Sequence, residues 1–324
     1  MALLAVTAGD EASLRTVTAG AVAGDVVAVP SGTYALTATW TVTAGVTIQP
    51  SLAVAGAAGP VNVTVNAARH GLVIDNSAAT VNRLTLRGIR LTGSGGATLD
   101  GISFVGTAGK KLTNCLIEGC DLSGWRNGIS LVAADVGSGA GVYVEVRGCD
   151  VSTNRVRGMH LTNLSMCAVR RCEMNGNGAN GLYAQSCINF SLHESASEGN
   201  NTLNGTTLEG DAQVLIKTCH AFTVGALDVE SMPTAVGTCK VGLAVANCYG
   251  GAVIGYNVAQ TAYQPDSVGL RLSNGSRAVR LDQMTYSYIT TPIALDASSV
   301  FPEVSLRTVV QVAPSTLTLD GLQA

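Results

Sequence analysis

The chain has 324 residues, of which 47% are hydrophobic and only 13% charged, and its formal net charge is −3. This length allows one large domain, and a weakly negative chain without a basic patch argues against a nucleic-acid partner. No apolar run reaches the ~18 residues that a membrane-spanning helix needs, so we expect no membrane insertion.

Residues 1–23 predict an N-terminal cap that contains one short helix. Asp10 precedes the segment Glu11-Ala12-Ser13-Leu14, and an aspartate at that place is a favourable N-cap. The first seven residues carry no charged segment and too short an apolar run for a signal peptide, so we expect synthesis without secretion.

A strand pattern φ-x-φ-x-x-φ-x-φ, with φ usually apolar, recurs nine times between residues 84 and 311. Its third φ positions lie 21 to 34 residues apart, at residues 89, 120, 149, 172, 193, 227, 256, 282 and 309. A second pattern, Gly-φ-x-φ, repeats in the same period, as in Gly71-Leu72-Val73-Ile74 and Gly158-Met159-His160-Leu161. We expect each glycine to occupy a bend with positive φ.

Alternation within each unit and a period of this length predict a solenoid of stacked β-coils. We expect an all-β, parallel β-helix of about ten coils over residues 24–311, followed by a C-terminal strand and tail at 312–324. Residues 132–142 and 196–213 lengthen two coils and predict projecting loops.

Nine cysteines are present, and most fall on inward positions of the strand patterns. Cysteine at such a position behaves as a small hydrophobic residue, and no Cys-x-x-Cys pair supports zinc. The sequence therefore predicts free, buried thiols and no metal site built from cysteine.

One outward position of the first pattern carries carboxylates on five consecutive copies: Asp121, Asp150, Glu173, Glu194 and Asp228. Stacked strands lie ~4.8 Å apart, so such carboxylates repel one another, bind a cation or share a proton. A neighbouring outward column contains Arg147 and Arg170, which we expect to neutralise Asp150 and Glu173. The alternatives are a solvated acidic column and a catalytic or cation-binding one.

The outward column of the second pattern places His160 beside Tyr183 and, further along, Arg271. These side chains are candidates for binding a sugar by stacking and hydrogen bonds, against the alternative of an ordinary mixed surface. His193 and Asp282 fall on inward positions, where a polar group needs a partner.

The segment Gly24-Asp25-Val26-Val27-Ala28-Val29-Pro30-Ser31-Gly32-Thr33-Tyr34 resembles the opening coil of the pectate-lyase-like superfamily. This resemblance implies a right-handed parallel β-helix, a fold that carries lyases, hydrolases, epimerases and inert spikes.

A β-helix made in the host cytoplasm and low in charge also resembles bacteriophage tailspikes and other virion appendages. That resemblance implies a homotrimer in the virion, with other virion proteins and host-surface polysaccharide as partners. An attachment or glycan-binding role is favoured here, since an aromatic content of 4% argues against a deep processive groove. The alternative is a polysaccharide depolymerase, a hydrolase or lyase, in which Asp121, Asp150, Glu173, Glu194, Arg147 and Arg170 supply catalytic groups. In lyases of this fold the acidic cluster binds Ca²⁺, so calcium is a possible cofactor under that alternative.

Overall fold

Parallel strands wind into a β-solenoid in the computed structural model, which describes residues 1–51, 60–65, 69–94, 99–135, 141–200, 212–230 and 241–295 and the backbone of 309–312. The predicted parallel β-helix is confirmed. The solenoid has about seven turns, slightly fewer than the roughly ten coils expected.

Three parallel sheets form the walls of the solenoid. Sheet 1 contains β4 (Trp40–Val42), β7 (Leu72–Ile74), β11 (Ile102–Val105), β14 (Asn127–Val132), β16 (Arg157–Thr162), β18 (Leu182–Gln185), β20 (Ala212–Lys217), β22 (Val241–Ala246) and the C-terminal parts of β24 (Asn257–Ser273) and β26 (Met284–Leu295).

Sheet 2 adjoins sheet 1 around each coil. Its strands are β1 (Leu3–Ala5), β2 (Val26–Val29), β5 (Thr47–Pro50), β8 (Val81–Asn82), β9 (Thr85–Arg87), β12 (Leu112–Glu118), β15 (Gly141–Arg147), β17 (Leu164–Arg170), the N-terminal parts of β19 (Ser191–Glu198) and β21 (His220–Glu230), β23 (Tyr249–Ile254) and β25 (Arg277–Asp282).

Sheet 3 closes the coil. It contains β3 (Gly32–Leu36), β6 (Val61–Val65), β10 (Ile89–Thr92), β13 (Asp121–Ser123), single bridges at Asp150 and Glu173, the remaining parts of β19, β21, β24 and β26, and β27 (Val309–Val312).

The helix α1 (Glu11–Gly20) covers the core near the first coil, as the sequence predicted. Asp10 caps it by accepting hydrogen bonds from the backbone N–H groups of Ala12 and Ser13. Its buried face includes Leu14 and Thr18, and the Trp40 indole Nε1 donates to Thr18 Oγ1 at 3.1 Å. No described helix is long and apolar enough to cross a membrane.

Inward side chains stack in register from coil to coil. Leu86, Ile117, Val146, Val169 and Leu192 form one such column, and each is at most 1% exposed. Full burial of one side chain of this size stabilises the folded state by about 1.5–3 kcal/mol, so these columns supply most of the driving force for coiling.

Two cysteine ladders run through this core. Cys120, Cys149 and Cys172 form the first and end at Ser195; Cys187, Cys219 and Cys248 form the second and end at Ser276. In the second, the backbone N–H of Cys187 donates to Cys219 Sγ at 3.4 Å and that of Cys219 to Cys248 Sγ at 3.3 Å. All eight cysteines that the structure describes are free and buried, which agrees with the predicted free thiols; Cys239 lies outside the described residues.

A buried amide ladder occupies the turn between sheets 3 and 1. Asn154 Nδ2 donates to Asn177 Oδ1 at 3.1 Å, Asn177 Nδ2 to Asn200 Oδ1 at 2.9 Å, and Asn200 Nδ2 to Gln213 Oε1 at 2.7 Å. The strand patterns did not reveal this ladder, although Asn154, Asn177 and Asn200 recur at intervals of 23 residues.

The glycines of the Gly-φ-x-φ pattern have a different role from the one predicted. None of the described ones lies at positive φ. Instead, a Cβ on Gly101 would lie 2.6 Å from the carbonyl oxygen of Gly128, and one on Gly158 would lie 2.5 Å from that of Gly181. These positions require glycine because the next coil passes too close for a side chain.

The predicted loops are shorter than expected where the structure describes them. β14 continues to Val132 and β15 begins at Gly141, while β19 continues to Glu198 and β20 begins at Ala212. Residues 136–140 and 201–211 lie outside the described residues, as do residues 313–324 of the predicted C-terminal strand and tail.

Candidate functional site

The predicted acidic column exists in part. Arg90 pairs in register with Asp121, Asp121 with Asp150, and Asp150 with Glu173. The next member of the column is Ala196 and not Glu194, since Glu173 pairs with Ala196. Asp228 then follows Ala196.

The error at Glu194 comes from a shift of two residues in the assigned register. Val169 pairs with Leu192, so the inward positions of this coil are Phe190, Leu192, Ser195 and Ser197. A shift by two preserves the alternation of inward and outward side chains, and hydrophobicity alone cannot reveal it. The same shift occurs at residues 277–286, where Thr285 and not Gln283 follows Asn257.

Two polar residues predicted to point inward therefore lie elsewhere. His193 is half-buried on the outer face of sheet 2, in register with Arg170. Asp282 follows Ile254 on the same outer column; it is buried and pairs with Arg280 at 2.8 Å.

The arginines do not neutralise the acidic column as expected. Arg147 pairs instead with Glu118, whose other side contacts Arg87 at 2.6 Å. The hydrogen bond from Arg147 is the main cause that lowers the pKa of Glu118 below its ordinary value. In the acidic column, Asp121 pairs with Arg90 at 2.7 Å, and Asp150 accepts a hydrogen bond from Ser152.

Three of the predicted site residues do meet, in a depression on the outer surface of sheet 2. We call it the arginine depression; it has a volume of about 290 Å³ and is lined by Glu145, Arg147, Arg170, Arg171, His193 and Glu194. Arg171 Nε lies 2.5 Å from Glu194 Oε2. Burial, followed by the charge of Arg170, lowers the pKa of His193, so this imidazole is neutral near pH 7 and both donates and accepts hydrogen bonds.

The corner between sheets 2 and 3 positions two of these side chains. In three earlier coils a glycine occupies this corner with φ near +60°: Gly88, Gly119 and Gly148. In the next two coils Arg171 and Glu194 occupy it, with φ of 53° and 50°. A left-handed conformation is unfavourable for a residue with a Cβ. The corner thus holds a charged pair at a place where glycine satisfies the backbone better.

A second acidic group, which sequence reasoning missed, lies on the outer face of sheet 3. Glu198 pairs in register with Glu230, and burial, followed by the charges of Glu230, Asp228 and Glu173, raises the pKa of Glu198. Glu198 belonged to a segment predicted as a loop, and only the observed extension of β19 puts it in the sheet.

The described residues bring no three His, Cys, Asp or Glu side chains together in an arrangement that suits a metal ion. The acidic positions Asp121, Asp150 and Glu173 therefore do not form a ready-made calcium site within the described part of the chain. As catalytic groups they stay predictions.

The predicted sheet 1 column is in register throughout, from Val73 to Arg271. His160 contacts Tyr183 edge to face, with ring centroids 5.3 Å apart, and the Arg157 guanidinium lies 4.4 Å above the Tyr183 ring. Tyr183 is only 4% exposed, so its ring offers no free face to a sugar. Arg271 lies three strands beyond it, separated by Leu215 and Ala244.

An ion pair between the buried carboxylate of Asp100 and the half-exposed guanidinium of Arg126 adjoins this pair of rings. Arg126 donates to both carboxylate oxygens of Asp100 at 3.0 and 2.9 Å, and Asn127 Nδ2 donates at 2.8 Å. Burial, together with the charge of Arg157, lowers the pKa of His160 to about 4. The group around His160 is thus internally satisfied, which favours a structural role.

The molecule is a parallel β-helix whose outer walls carry ordered columns of charged and polar side chains. Its structural neighbours are pectate-lyase-like parallel β-helix proteins, among them two phage proteins. No protein-family model matches the chain, and no curated protein matches it.

Three solved structures illustrate the likeness. ORF18 of Geobacillus virus E2 superposes with a TM-score of 0.59 at 12% identity, covering 97% of this chain and 61% of that one. The pectate lyase Pel9A gives 0.58 at 12%, covering 99% and 84%. The gp42 tailspike of Acinetobacter phage vb_AbaP_AS12 gives 0.54 at 10%, covering 99% and 63%. Identities this low show a shared fold, and the chain spans less than two thirds of either phage protein.

Proposed function

We propose that this protein is a phage virion β-helix that binds host-surface polysaccharide along its outer wall, with the arginine depression as a contact site. The fold is common to a phage tailspike and to a pectate lyase, which supports a polysaccharide ligand. The observation that carries the proposal is the convergence of three arginines, two glutamates and a histidine in one depression.

The chemistry of the depression suits a chain of hydroxyl and carboxylate groups. Arginine donates to carboxylates through two parallel hydrogen bonds, and Glu145 and Glu194 accept from hydroxyls. Arg170, whose side chain is exposed beside the neutral His193, supplies positive charge without burying it. We therefore expect acidic polysaccharides to bind more tightly than neutral ones.

Binding of purified capsular and lipopolysaccharide glycans tests this function. We expect Arg170→Ala to weaken binding roughly tenfold or more, the scale of one or two hydrogen bonds to a charged group. Arg90→Ala is the matched control, because Arg90 is also exposed but lies on sheet 3 outside the depression. Equal loss in both variants, or none in Arg170→Ala, would contradict the proposal.

A depolymerase activity is the second candidate, and Glu198 favours it. A glycosidase needs one carboxyl group that stays protonated and a second that is ionised, about 5–9 Å apart. Glu198 has a raised pKa and lies beside Glu230 on the adjacent strand, with Asp228 and Glu173 near enough to contribute to that shift.

The size distribution of a glycan after incubation distinguishes the two functions. If the protein is a depolymerase, Glu198→Gln lowers turnover by about a hundredfold or more, the scale of one acid–base group. Glu11→Gln, in the N-terminal helix, is the control for a lost carboxylate far from this face. Unchanged glycan length with the wild-type protein would leave binding as the function.

Trimer formation and contacts with other virion proteins belong to the same proposal. Their support is the likeness to phage proteins alone. Light scattering that shows a monomer at micromolar concentration would contradict the trimer, while electron microscopy of the particle would locate the protein directly.

A further inference from the structure

The structure contains a second exposed polar platform, at the corner where sheet 1 passes into sheet 2. His220, Tyr249 and Arg277 lie in register on three consecutive strands. Their two rings have centroids 6.3 Å apart at an angle of 50°. The strand patterns in the sequence did not reveal this column, because His220 and Tyr249 lie at a coil corner.

Tyr249 is exposed, as are Tyr143 and Tyr288 among the described tyrosines. The tryptophans and the described phenylalanines are buried, whereas Tyr249 is 58% exposed. The adjacent Gly250 has φ of +64°, and a Cβ there would meet no atom within 4 Å. More than half of the Tyr249 surface is therefore accessible to a ligand.

Hydroxyl and amide side chains line the same depression as the ring. A depression of about 370 Å³ is lined by Thr218, His220, Asn247, Cys248, Tyr249, Asn274, Gly275 and Arg277. Thr218 and Asn247 hold left-handed conformations at equivalent corners, two residues before His220 and Tyr249 respectively. Asn247 Nδ2 donates to Thr218 Oγ1 at 3.5 Å, so these two side chains meet across successive coils within the depression.

The platform is rigid because a core ladder holds it from within. Between Thr218 and His220 lies Cys219, and between Asn247 and Tyr249 lies Cys248. The backbone N–H of Cys219 donates to Cys248 Sγ at 3.3 Å, and that of Cys248 donates to Ser276 Oγ at 3.3 Å. A binding surface that is already ordered loses less entropy when a ligand binds.

We propose that His220, Tyr249 and Arg277 form a second saccharide-binding site, in which a sugar ring stacks on Tyr249 and its hydroxyls bond to Asn247 and Thr218. Arg277 is exposed at the end of the column and binds a carboxylate of an adjoining acidic sugar. Stacked coils repeat at ~4.8 Å, close to the length of one pyranose unit in an extended chain, so successive sugars meet successive coils.

The outer face of sheet 2 connects this site to the arginine depression. Between them the outward residues are small: Ser191, Thr223, Gly225 and Ala252. A Cβ on Gly225 would lie 2.5 Å from His193 Nδ1, so the imidazole of the depression already rests on this path. One polysaccharide chain thus reaches both sites, and in this respect the inference rests on the proposed function.

Calorimetric titration of the full chain with a hexamer of galacturonate and with maltohexaose tests the site. We expect Tyr249→Ala to weaken binding of both oligosaccharides at least tenfold and Tyr249→Phe to change it less than threefold. Arg277→Gln should weaken only the galacturonate hexamer. Tyr143→Ala is the matched control, since Tyr143 is 57% exposed at the equivalent corner of an earlier coil, outside this depression.

The outcomes separate this inference from the proposed function. Loss of binding in Arg170→Ala with none in Tyr249→Ala would overturn the second site and leave the arginine depression. Loss in Tyr249→Ala alone would support the second site and contradict the depression. Equal loss in Tyr143→Ala and Tyr249→Ala, or no binding of either hexamer by the wild-type chain, would overturn the second site.

Discussion

Arg171 and Glu194 occupy the same left-handed corner on consecutive coils, and their side chains form a salt bridge of 2.5 Å across the coil boundary. Both side chains are more than half exposed. An exposed pair of this kind contributes about 0–1 kcal/mol. It contributes little to stability at a corner where glycine is easier to accommodate, which is the pattern expected of residues placed for a ligand.

Replacing both residues with glycine tests that interpretation. We expect the double variant Arg171→Gly/Glu194→Gly to be as stable as the wild type or more stable, because relief of a left-handed residue is worth roughly 1–2 kcal/mol. Urea denaturation measures this, and glycan titration of the same variant should show weakened binding. A fall in unfolding free energy of more than about 2 kcal/mol would instead mark the pair as structural.

The cysteine ladders predict a contrast between two substitutions at one position. Cys219 Sγ accepts from the backbone N–H of Cys187, and a serine performs the same task at the ends of both ladders, Ser195 and Ser276. Cys219→Ser should therefore cost little. Cys219→Val leaves that buried N–H without an acceptor and should cost about 1–3 kcal/mol more, measured by chemical denaturation. Equal stability of the two variants would show that the thiol acts only as an apolar filler.

The amide ladder should be more sensitive than any surface position. Asn177 donates to Val151 O and Asn200 Oδ1 and accepts from the backbone N–H and the side-chain amide of Asn154. Asn177→Leu removes all four bonds, and each buried group left unpaired costs about 1–3 kcal/mol. We expect a large fall in melting temperature or failure to fold.

Asn247→Gly is the control for that experiment, because Asn247 is exposed at a left-handed corner that glycine adopts without strain. Its removal should change the melting temperature by a degree or two at most. A similar fall in both variants would show that the ladder has no special role.

The lowered pKa of His160 predicts that the folded protein loses stability in acid. Burial and the nearby Arg157 lower its pKa to about 4 in the folded state, against an ordinary value of about 6.5 when unfolded. The unfolded chain therefore binds this proton first, and stability falls as pH drops from about 6.5 to about 4. The charge of Asp100 raises the pKa of His160, and the charge of Arg126 lowers it further.

The measurement compares urea unfolding of the wild type and of His160→Gln at pH 7 and pH 4.5. Since one pKa unit corresponds to about 1.4 kcal/mol, the wild type should lose roughly 2–3 kcal/mol more than the variant between these values. Parallel losses would mean that the imidazole is solvated in the folded protein.

The sequence predicted the architecture well because the same strand patterns recur in successive coils of a solenoid. Each coil shows the alternation again, so an error in assigning one copy does not change the predicted fold. The column from Val73 to Arg271 was predicted in full register. The errors at His193 and Asp282 arose where a copy slid by two residues, which alternation does not detect.

The surface sites were harder to predict, because corners obey different rules from strands. Glu194 and Tyr249 lie at or beside left-handed turns, where side-chain direction depends on backbone φ and not on the period of two. Glu198 depended on how far β19 extends, and composition gives no such boundary. His160 and Tyr183 were paired correctly, yet their burial beneath Arg157 is a tertiary fact.

The close approach of successive glycines has a consequence for how such a molecule changes length. The carbonyl oxygen of one coil occupies the space where the glycine of the preceding coil would carry a side chain. The close packing therefore depends on the contact between two neighbouring coils and not on either coil alone. Duplicating or deleting one whole coil recreates a contact between coils that already packs well, whereas inserting a few residues does not. Modular growth of the solenoid by whole coils is therefore the route that the backbone itself permits.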